Sequence, residues 1–232
     1  MLTEVFNSLW LQQIIREDHW LFLSFKWHCL SVTKAVLERI TAVIPHFTEN
    51  MNYDTAFKTA WADFLWVSKF IYTQQNLKSK VFKDTELTQS DITFAENNEY
   101  AILCLKRSKT DINHQDIEII LTAVNNSLCS VQALYRLVTE NSQSSDALLF
   151  SNKGRHFTRK SVINTLHCWL KDCSIASAEY SGHSFCKGAA QHASDNSILE
   201  EQIKTLGRWS SNVFCLYYES FITTLYTLNK HF

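Results

Sequence analysis

The stretch that decides the fold reads Ser181-Gly182-His183-Ser184-Phe185-Cys186-Lys187-Gly188-Ala189-Ala190, and it is followed by Leu206-Gly207-Arg208-Trp209 and by the pair Tyr217-Tyr218. Gly182 and Gly188 punctuate a loop that opens a helix, because the alanines behind them favour helical structure. Apolar residues then recur at helical spacing, at Ile198, Leu199, Ile203 and Leu206. This pattern predicts a helix from Ala189 to Leu206 that ends in a left-handed cap at Gly207, and a further helix that carries the tyrosines.

These three motifs resemble the second half of a tyrosine recombinase (phage-integrase-like) catalytic domain, in the divergent form of eukaryotic mobile elements. In that family, Gly-His-Ser-Phe-Arg-x-Gly is followed by Leu-Gly-x-Trp or Leu-Gly-His and then by a nucleophilic tyrosine. The resemblance implies catalytic roles for His183 and for Trp209, which stands at the family's His/Trp position. Tyr217 lies eight residues after Trp209 and is our candidate nucleophile, whereas a spacing of nine would select Tyr218. Cys186 departs from the pattern, because the family has an arginine there.

A second departure lies in the first half of the chain. The apolar pattern from Tyr53 to Tyr72 predicts one long buried helix. Within it, Phe64-Leu65-Trp66-Val67-Ser68-Lys69-Phe70 resembles the family's first motif, Phe-Leu-Arg-Val-Gly-Glu-Phe. Trp66 therefore replaces the first catalytic arginine, and Lys69 replaces the glutamate that supports it. An indole cannot grip a phosphate as a guanidinium does, so both catalytic arginines are predicted to be lost.

Alternating stretches from Tyr100 to Leu105 and from Gln115 to Leu121 predict a β-hairpin, preceded by a strand signal between Leu87 and Phe94. The connecting turn contains Leu105-Lys106-Arg107-Ser108-Lys109-Thr110-Asp111, which resembles the Leu-Lys-x-Ser-Lys-Thr-Asp of these recombinases. The resemblance implies that Lys109 is the general acid toward the leaving 5′ oxygen. Taken without it, the turn is typical of an ordinary basic hairpin tip in water.

Composition bounds the fold class. The 232-residue chain is 46% hydrophobic and 13% aromatic, with four glycines and one proline, Pro45. The few glycines and the single proline favour a mostly helical domain. Together with the predicted hairpin, this gives a mainly helical α+β fold with a small antiparallel sheet, which the resemblance refines to the tyrosine-recombinase catalytic-domain fold. We expect residues 31–232 to form that domain, and residues 1–30 to form a helical N-terminal segment, a candidate remnant of a core-binding domain.

Three further helices are expected. The first runs from Ser31, as the N-cap, to Ile44, the second belongs to a polar helix and loop over 122–145, and the third runs from Lys160 to Asp172 with Thr158 as the cap.

The charge balance gives a mixed signal about nucleic acids. A net charge of −1 counts against strong nonspecific DNA affinity, because nucleic-acid-binding proteins are usually basic. Between Ser151 and Gly188, however, six basic residues stand against two acidic ones. This local excess is the best candidate for a phosphate-facing surface, although a solvated basic face fits the pattern nearly as well. The DNA-binding candidates are Arg107, Lys153, Arg155, Arg159, Lys160, Lys187 and Arg208.

Seven cysteines without paired spacing, and no cleavable signal sequence, predict a reduced intracellular protein, nuclear if the source is eukaryotic. The apolar run near Trp20 to Cys29 is too short and too polar to span a bilayer, so no membrane partner is expected. A metal site is an alternative that would use Cys168, Cys173, His183 and Cys186, but the five-residue spacing of the first two on a predicted helix disfavours it. A further alternative is a nucleophilic Cys186 paired with His183. It is disfavoured because nothing in the sequence suggests a carboxylate that would orient the histidine.

The resemblance implies that a tyrosine cleaves double-stranded DNA through a 3′-phosphotyrosine intermediate, while arginines neutralise the phosphorane and no metal or cofactor takes part. Of that catalytic set the chain retains Lys109, His183, Trp209 and Tyr217. Losing one donor to transition-state charge costs ~10²–10³ in rate, so site-specific recombination or integration is predicted to be impaired or absent. The alternative is a non-enzymatic DNA-binding or protein-interaction module derived from a recombinase. Self-association through the C-terminal segment is a further expectation.

Overall fold

The computed structural model describes residues 29–43, 48–65, 67–71, 87–105, 117–140, 147–152 and 155–209. The helices of this part of the chain are α1 (Lys34–Val43), α2 (Thr48–Ala62), α3 (Ser130–Glu140), α4 (Arg159–Asp172), α5 (Ser184–Asp195) and α6 (Glu200–Leu206). Its strands are β1 (Ile92–Phe94), β2 (Tyr100–Leu105), β3 (Ile117–Thr122), β4 (Ser151–Asn152) and β5 (Arg155–His156), and 3₁₀ turns cover Val67–Phe70 and Gln89–Asp91. The predicted mainly helical α+β class is confirmed. The division between residues 1–30 and 31–232 stays a prediction, because residues 1–28 lie outside the described ranges.

The start of α1 differs from the prediction. The helix begins at Lys34 rather than in the turn after Ser31. The residues before it are extended. The Leu30 N–H donates to the Glu179 carbonyl and the Val32 N–H donates to the Ser184 carbonyl, both at 2.8 Å. Thr33 accepts a hydrogen bond from the first turn at 3.3 Å, so Thr33 and not Ser31 has the capping role.

The prediction of a single long helix over 53–72 was wrong. α2 ends at Ala62, and the 3₁₀ turn follows after a break. Phe64 has a left-handed φ of 54°, and the Leu65 N–H donates back to the Ala60 carbonyl at 2.8 Å. This is the pattern of a Schellman cap, in which glycine usually takes the left-handed position. A phenylalanine there carries no stop signal in the sequence.

The predicted β-hairpin is confirmed. β1, β2 and β3 form an antiparallel sheet in that order, with Leu103 paired with Ile119. Both of these side chains are buried, whereas alternate residues of β3 face outward, as a half-buried sheet requires. The turn that carries Arg107 and Lys109 falls in 106–116, outside the described residues.

α3 is amphipathic rather than polar. Val131, Leu134 and Leu137 form its fully buried face, which packs against α2. The polar residues of this helix therefore cover only its opposite face. The loop predicted after this helix falls in 141–146, outside the described residues.

The start of α4 follows the prediction closely. Thr158 is the N-cap, and its Oγ1 accepts a hydrogen bond from the Ser161 N–H at 3.0 Å. The helix begins at Arg159, one residue before the predicted start. The short β4–β5 hairpin in front of it was not predicted, because two-residue strands leave no periodic signal.

The helix predicted over 189–206 is two helices. α5 ends at Asp195, where Ser197 adopts a left-handed φ of 59°. α6 then runs to Leu206, and the left-handed residue after it is Arg208, with φ 54°, not Gly207, whose φ is −78°. At each helix end, the residue after the left-handed one donates its N–H to the carbonyl five residues earlier: Ile198 to Ala193, and Trp209 to Lys204. The predicted cap at Gly207 was therefore displaced by one residue.

An aromatic core built around α2 fixes the start of α5. Phe57 stacks on Phe185 with ring centroids 4.9 Å apart and meets the edge of Trp169 at 5.2 Å. Tyr53 stacks on Phe157 at 4.2 Å. Such pairs add about 0.5–1.5 kcal/mol each beyond the area they bury. Because Phe185 is the second residue of α5, this core holds the helix that follows the Gly-His-Ser motif.

Candidate functional site

His183 is the N-cap residue of α5 and lies half-buried in a loop held by short hydrogen bonds. The Ser181 N–H donates to Ser184 Oγ at 2.9 Å, and the His183 N–H donates to Ser181 Oγ at 3.3 Å. A Cβ placed on Gly182 would lie 3.4 Å from the Cβ of Val67. The His183 loop therefore packs against the 3₁₀ turn that follows α2.

Cys186 occupies the position at which the resemblance places an arginine, and it is sealed inside the protein. Its relative exposure is 0%, and its Sγ donates a hydrogen bond to the Phe64 carbonyl oxygen at 2.9 Å. The apolar cluster around it consists of Phe64, Ala189, Ala190, Ala193 and Ile203, with Trp209 packed against it. A thiol in this environment behaves as a small hydrophobic group and presents no charge to a ligand.

Trp209 joins the α6 end of the site to the end of α2. Its ring meets Phe64 edge-on, with centroids 5.9 Å apart and planes at 84°. A Cβ on Gly207 would lie 2.2 Å from the Trp209 ring, so glycine is needed there for close approach and not for a left-handed turn. The structure thus brings the His183 helix and Trp209 to one place, through Phe64 and Cys186.

A charged cluster that sequence reasoning missed lies at the same place. Arg208 Nη2 donates to the Asp63 backbone carbonyl at 2.7 Å and to Asp63 Oδ2 at 2.9 Å. Burial raises the pKa of the Asp63 carboxyl to about 6, although the Arg208 charge and hydrogen bond act in the opposite direction. Burial, and next the Arg208 charge, lower the pKa of Lys69 on the 3₁₀ turn. Sequence reasoning missed Asp63 because this residue lies within 53–72, which was predicted to be one continuous helix.

The predicted DNA-binding residues fall into different environments. Arg155, Arg159 and Lys160 are exposed around the start of α4, and none of the three forms an ion pair with a described residue. Lys187 is half-buried, and its Nζ donates to the Cys29 carbonyl at 3.0 Å. Its ammonium therefore supports the extended segment before α1. Arg208 belongs to the cluster with Asp63 and not to the surface at α4.

Several residues singled out in the sequence lie outside the described ranges: Trp66, Arg107, Lys109, Lys153, Tyr217 and Tyr218. The general-acid role of Lys109, the nucleophilic role of Tyr217 and the choice between Tyr217 and Tyr218 stay predictions. The DNA-binding roles of Arg107 and Lys153 do so as well.

The alternative metal site is not assembled in the structure. Cys168 is exposed and its Sγ lies 3.9 Å from Asp172 Oδ2, whereas Cys173 Sγ donates to the Arg39 carbonyl at 3.5 Å. With Cys186 bound to Phe64, the three thiols contact separate partners. Across the described residues, no group of three His, Cys, Asp or Glu side chains could hold a metal ion. In the same ranges, no helix has the length and apolarity to cross a membrane.

Comparison with solved structures identifies the architecture. The chain is similar to XerA recombinase, with a TM-score of 0.58 and 14% identity over 89% of this chain and 66% of that one. It is similar to XerH site-specific recombinase bound to difH substrate in a pre-cleavage complex, with a TM-score of 0.58 and 13% identity over 85% of this chain and 52% of that one. The chain has the tyrosine-recombinase catalytic-domain fold. A lambda integrase dimer bound to a COC′ core site is a third similar structure, with a TM-score of 0.54 and 15% identity over 84% and 49% of the two chains.

The similarity to tyrosine recombinases was found by comparison of structures. Comparisons with protein-family models and with curated proteins gave no match. The chain spans 52%, 66% and 49% of the XerH, XerA and lambda integrase chains respectively. The predicted resemblance is confirmed for the fold, within which the end of α2, the His183 loop and the Trp209 turn meet.

Proposed function

We propose that this chain is a tyrosine-recombinase-like protein that binds double-stranded DNA and is impaired or inactive in strand cleavage. The class to which it is assigned breaks and rejoins DNA in site-specific recombination or integration through a 3′-phosphotyrosine. The observation that carries DNA binding is the first turn of α4. Arg159 and Lys160 are exposed there, and this turn contains no acidic residue.

Cations in the first turn of a helix oppose its macrodipole and cost about 0.3–1 kcal/mol each. Two adjacent ones, with Arg155 exposed just before them on β5, are best explained by an external polyanion that offsets this cost. The phosphates of duplex DNA supply such a charge, and the similar structures include recombinases bound to DNA. The low net charge of the chain makes a local basic surface, rather than the whole protein surface, the candidate for DNA contact.

The environment of Cys186 supports the proposal that strand cleavage is impaired. A recombinase needs preorganised donors where the phosphorane develops charge, and each is worth ~10²–10³ in rate. Here the position at which the resemblance places one such donor is a buried thiol bound to Phe64. No substrate phosphate could reach it without opening the apolar cluster.

DNA binding is tested by fluorescence anisotropy with a generic duplex at several salt concentrations. The matched pair is Lys160→Gln and Lys171→Gln, two exposed lysines of α4 that lie about 16 Å apart along the helix. Lys160→Gln should weaken binding and lower the slope of log K against log salt by about 0.9, while Lys171→Gln should leave both unchanged. Equal effects, or no duplex binding by the wild type at low salt, would favour the protein-interaction module instead.

Cleavage is tested with a nicked suicide duplex that traps a covalent adduct. We expect no adduct from the wild type. An adduct that disappears in Tyr217→Phe but persists in Tyr218→Phe would establish activity and Tyr217 as the nucleophile, and would overturn the inactive assignment. A mobile-element origin, nuclear location and self-association through the C-terminal segment rest on the motif resemblance, and light scattering tests the last.

A further inference from the structure

His167, in the middle of α4, reaches the loop that carries His183. Its Nε2 lies 2.8 Å from the backbone carbonyl oxygen of Tyr180, three residues before His183. A carbonyl oxygen only accepts hydrogen bonds, so Nε2 carries a proton and the His167 ring is the donor. Tyr180 is buried, and no backbone N–H of a described residue donates to its carbonyl. His167 therefore satisfies a polar group that the surrounding main chain leaves without a donor.

A second contact places the same face of α4 against this loop. A Cβ placed on Gly182 would lie 4.0 Å from Ile163 Cδ1, an ordinary contact distance. Ile163 and His167 are four residues apart, so their side chains are neighbours on one face of the helix. α4 therefore meets the His183 loop at two points, one of them immediately before His183.

The same face of α4 leads to the proposed DNA-binding turn. Arg159 lies four residues before Ile163 and is exposed at the start of the helix. The helical rise places Arg159 about 12 Å from His167 along the axis. A duplex seated on Arg159 is wide enough to reach the His183 loop, since the major groove of DNA alone measures about 12 Å across. His183 is half-buried, so part of it is open to such a ligand.

The two ends of the His183 loop are tied by main-chain hydrogen bonds. The Leu30 N–H donates to the Glu179 carbonyl, and the Val32 N–H donates to the Ser184 carbonyl, both at 2.8 Å. These bonds do not depend on side chains, whereas the contact in the middle of the loop depends on the side chain of His167. A substitution at His167 therefore releases the middle of the loop while both ends remain tied.

We propose that His167 is a positioning residue that acts on DNA binding through His183. Its hydrogen bond holds the loop so that the His183 side chain faces a duplex seated on Arg159. The inference rests on the proposed DNA-binding function and extends it from the first turn of α4 to the candidate site. In this arrangement His167 itself does not touch the duplex. The alternative is that His167 only stabilises the fold.

Duplex anisotropy of His167→Ala, His167→Gln and His183→Ala tests this role. Glutamine retains an N–H donor, so His167→Gln should bind within about twofold of the wild type, whereas His167→Ala should lose about three- to tenfold. His183→Ala should lose at least as much as His167→Ala. The salt slope of His167→Ala should not change, because no phosphate-binding cation is lost. The matched control is Asn164→Ala, an exposed position on α4, which should bind as the wild type does.

The double variant His167→Ala/His183→Ala separates positioning from stability. A positioning residue has no effect once the group that it positions is gone, so the double variant should bind as weakly as His183→Ala alone. A further loss in the double variant would show that His167 acts on the fold, and would overturn the proposal. If Lys160→Gln weakens binding but either single alanine variant binds as the wild type does, the positioning role falls and the DNA-binding face stands.

NMR of the histidine rings decides where the alanine variants do not fold or the wild type binds no duplex. In the wild type, long-range proton–nitrogen spectra should show a proton on His167 Nε2, and a ring protonated only at Nδ1 would overturn the contact. Without DNA, the His183 Cε1–H resonance should stay in place in His167→Gln and move in His167→Ala. If the wild type binds no duplex, the proposed function fails separately, and an unmoved His183 resonance in His167→Ala then overturns the positioning role.

Discussion

Cys186 Sγ donates a hydrogen bond to the Phe64 carbonyl oxygen at 2.9 Å, across 122 residues of sequence. Phe64 has a left-handed backbone conformation, and Cys186 is fully buried. Position 186 is therefore a buried thiol within a closed apolar cluster. An arginine at position 186 would have to displace Phe64.

Cys186→Arg is expected to destabilise the protein by at least about 3 kcal/mol, because it overpacks a closed cluster and buries an unpaired charge. Cys186→Ser keeps a donor toward Phe64 and should cost less than about 1.5 kcal/mol. Urea unfolding of both variants measures this difference. An Arg variant as stable as the Ser variant would show that the cluster opens easily, and that an arginine could reach the phosphate.

Gly188 lies beneath the extended segment that precedes α1. A Cβ there would lie 1.9 Å from the Val32 carbonyl oxygen, which also accepts the Trp61 Nε1–H at 2.9 Å. Gly188→Ala would gain about 1 kcal/mol of helix propensity, but it must push away a hydrogen-bonded backbone. We expect a net loss of about 2–3 kcal/mol in thermal or urea unfolding.

The control for this variant is Gly182→Ala, whose Cβ would meet Val67 at 3.4 Å, an ordinary contact distance. It should change stability by less than about 1 kcal/mol. Equal stabilities for the two alanine variants would contradict the close approach at Gly188.

Periodicity located most elements in the described ranges and failed at their ends. The hairpin around β2 and β3 and the Thr158 cap were predictable, because alternation and capping are local patterns. The helix ends were not, because Phe64, Ser197 and Arg208 take the left-handed positions for which a sequence search expects glycine. Phe64 and Arg208 are held there by contacts with Trp209 and Asp63, and such packing leaves no local signal in the sequence.

The site was predictable in outline and not in its interior. Motif spacing predicts that His183 and Trp209 belong to one site. The loop of His183 packs against the 3₁₀ turn after α2, and Trp209 packs on Phe64 at the end of α2. The ion pair between Asp63 and Arg208 spans 145 residues and depends on where α2 stops, which the sequence did not show. Long-range polar contacts of this kind follow from tertiary structure and carry no period.

Ser197 offers a direct test of the helix-end strain. It is exposed with φ 59° after α5, a conformation that costs an L-residue about 1–2 kcal/mol and glycine little. Ser197→Gly should therefore raise the free energy of unfolding by about 1 kcal/mol, after the greater chain entropy of glycine is subtracted. Ser174→Gly, at φ 56° after α4, should act alike, and Ser197→Ala should not stabilise. Urea denaturation that ranks Ala above Gly would contradict the assignment.

Asp63 should make stability depend on pH in an unusual direction. Its carboxyl is almost fully buried, and burial raises its pKa from 3.8 to about 6. Between these values the folded chain holds a proton on Asp63 that the unfolded chain releases, so the free energy of unfolding falls as pH rises. The contribution is fully present below pH 3.8 and is lost above about pH 6, with a span of up to about 3 kcal/mol.

Urea unfolding of the wild type and Asp63→Asn at pH 4, 5, 6 and 7 isolates this group, because other titrations cancel in the difference. Relative to the wild type, Asp63→Asn should become more stable as pH rises from 4 to 6 and level off beyond it. A flat difference for Asp63→Asn would mean that Arg208 outweighs burial and holds the Asp63 carboxylate ionised throughout.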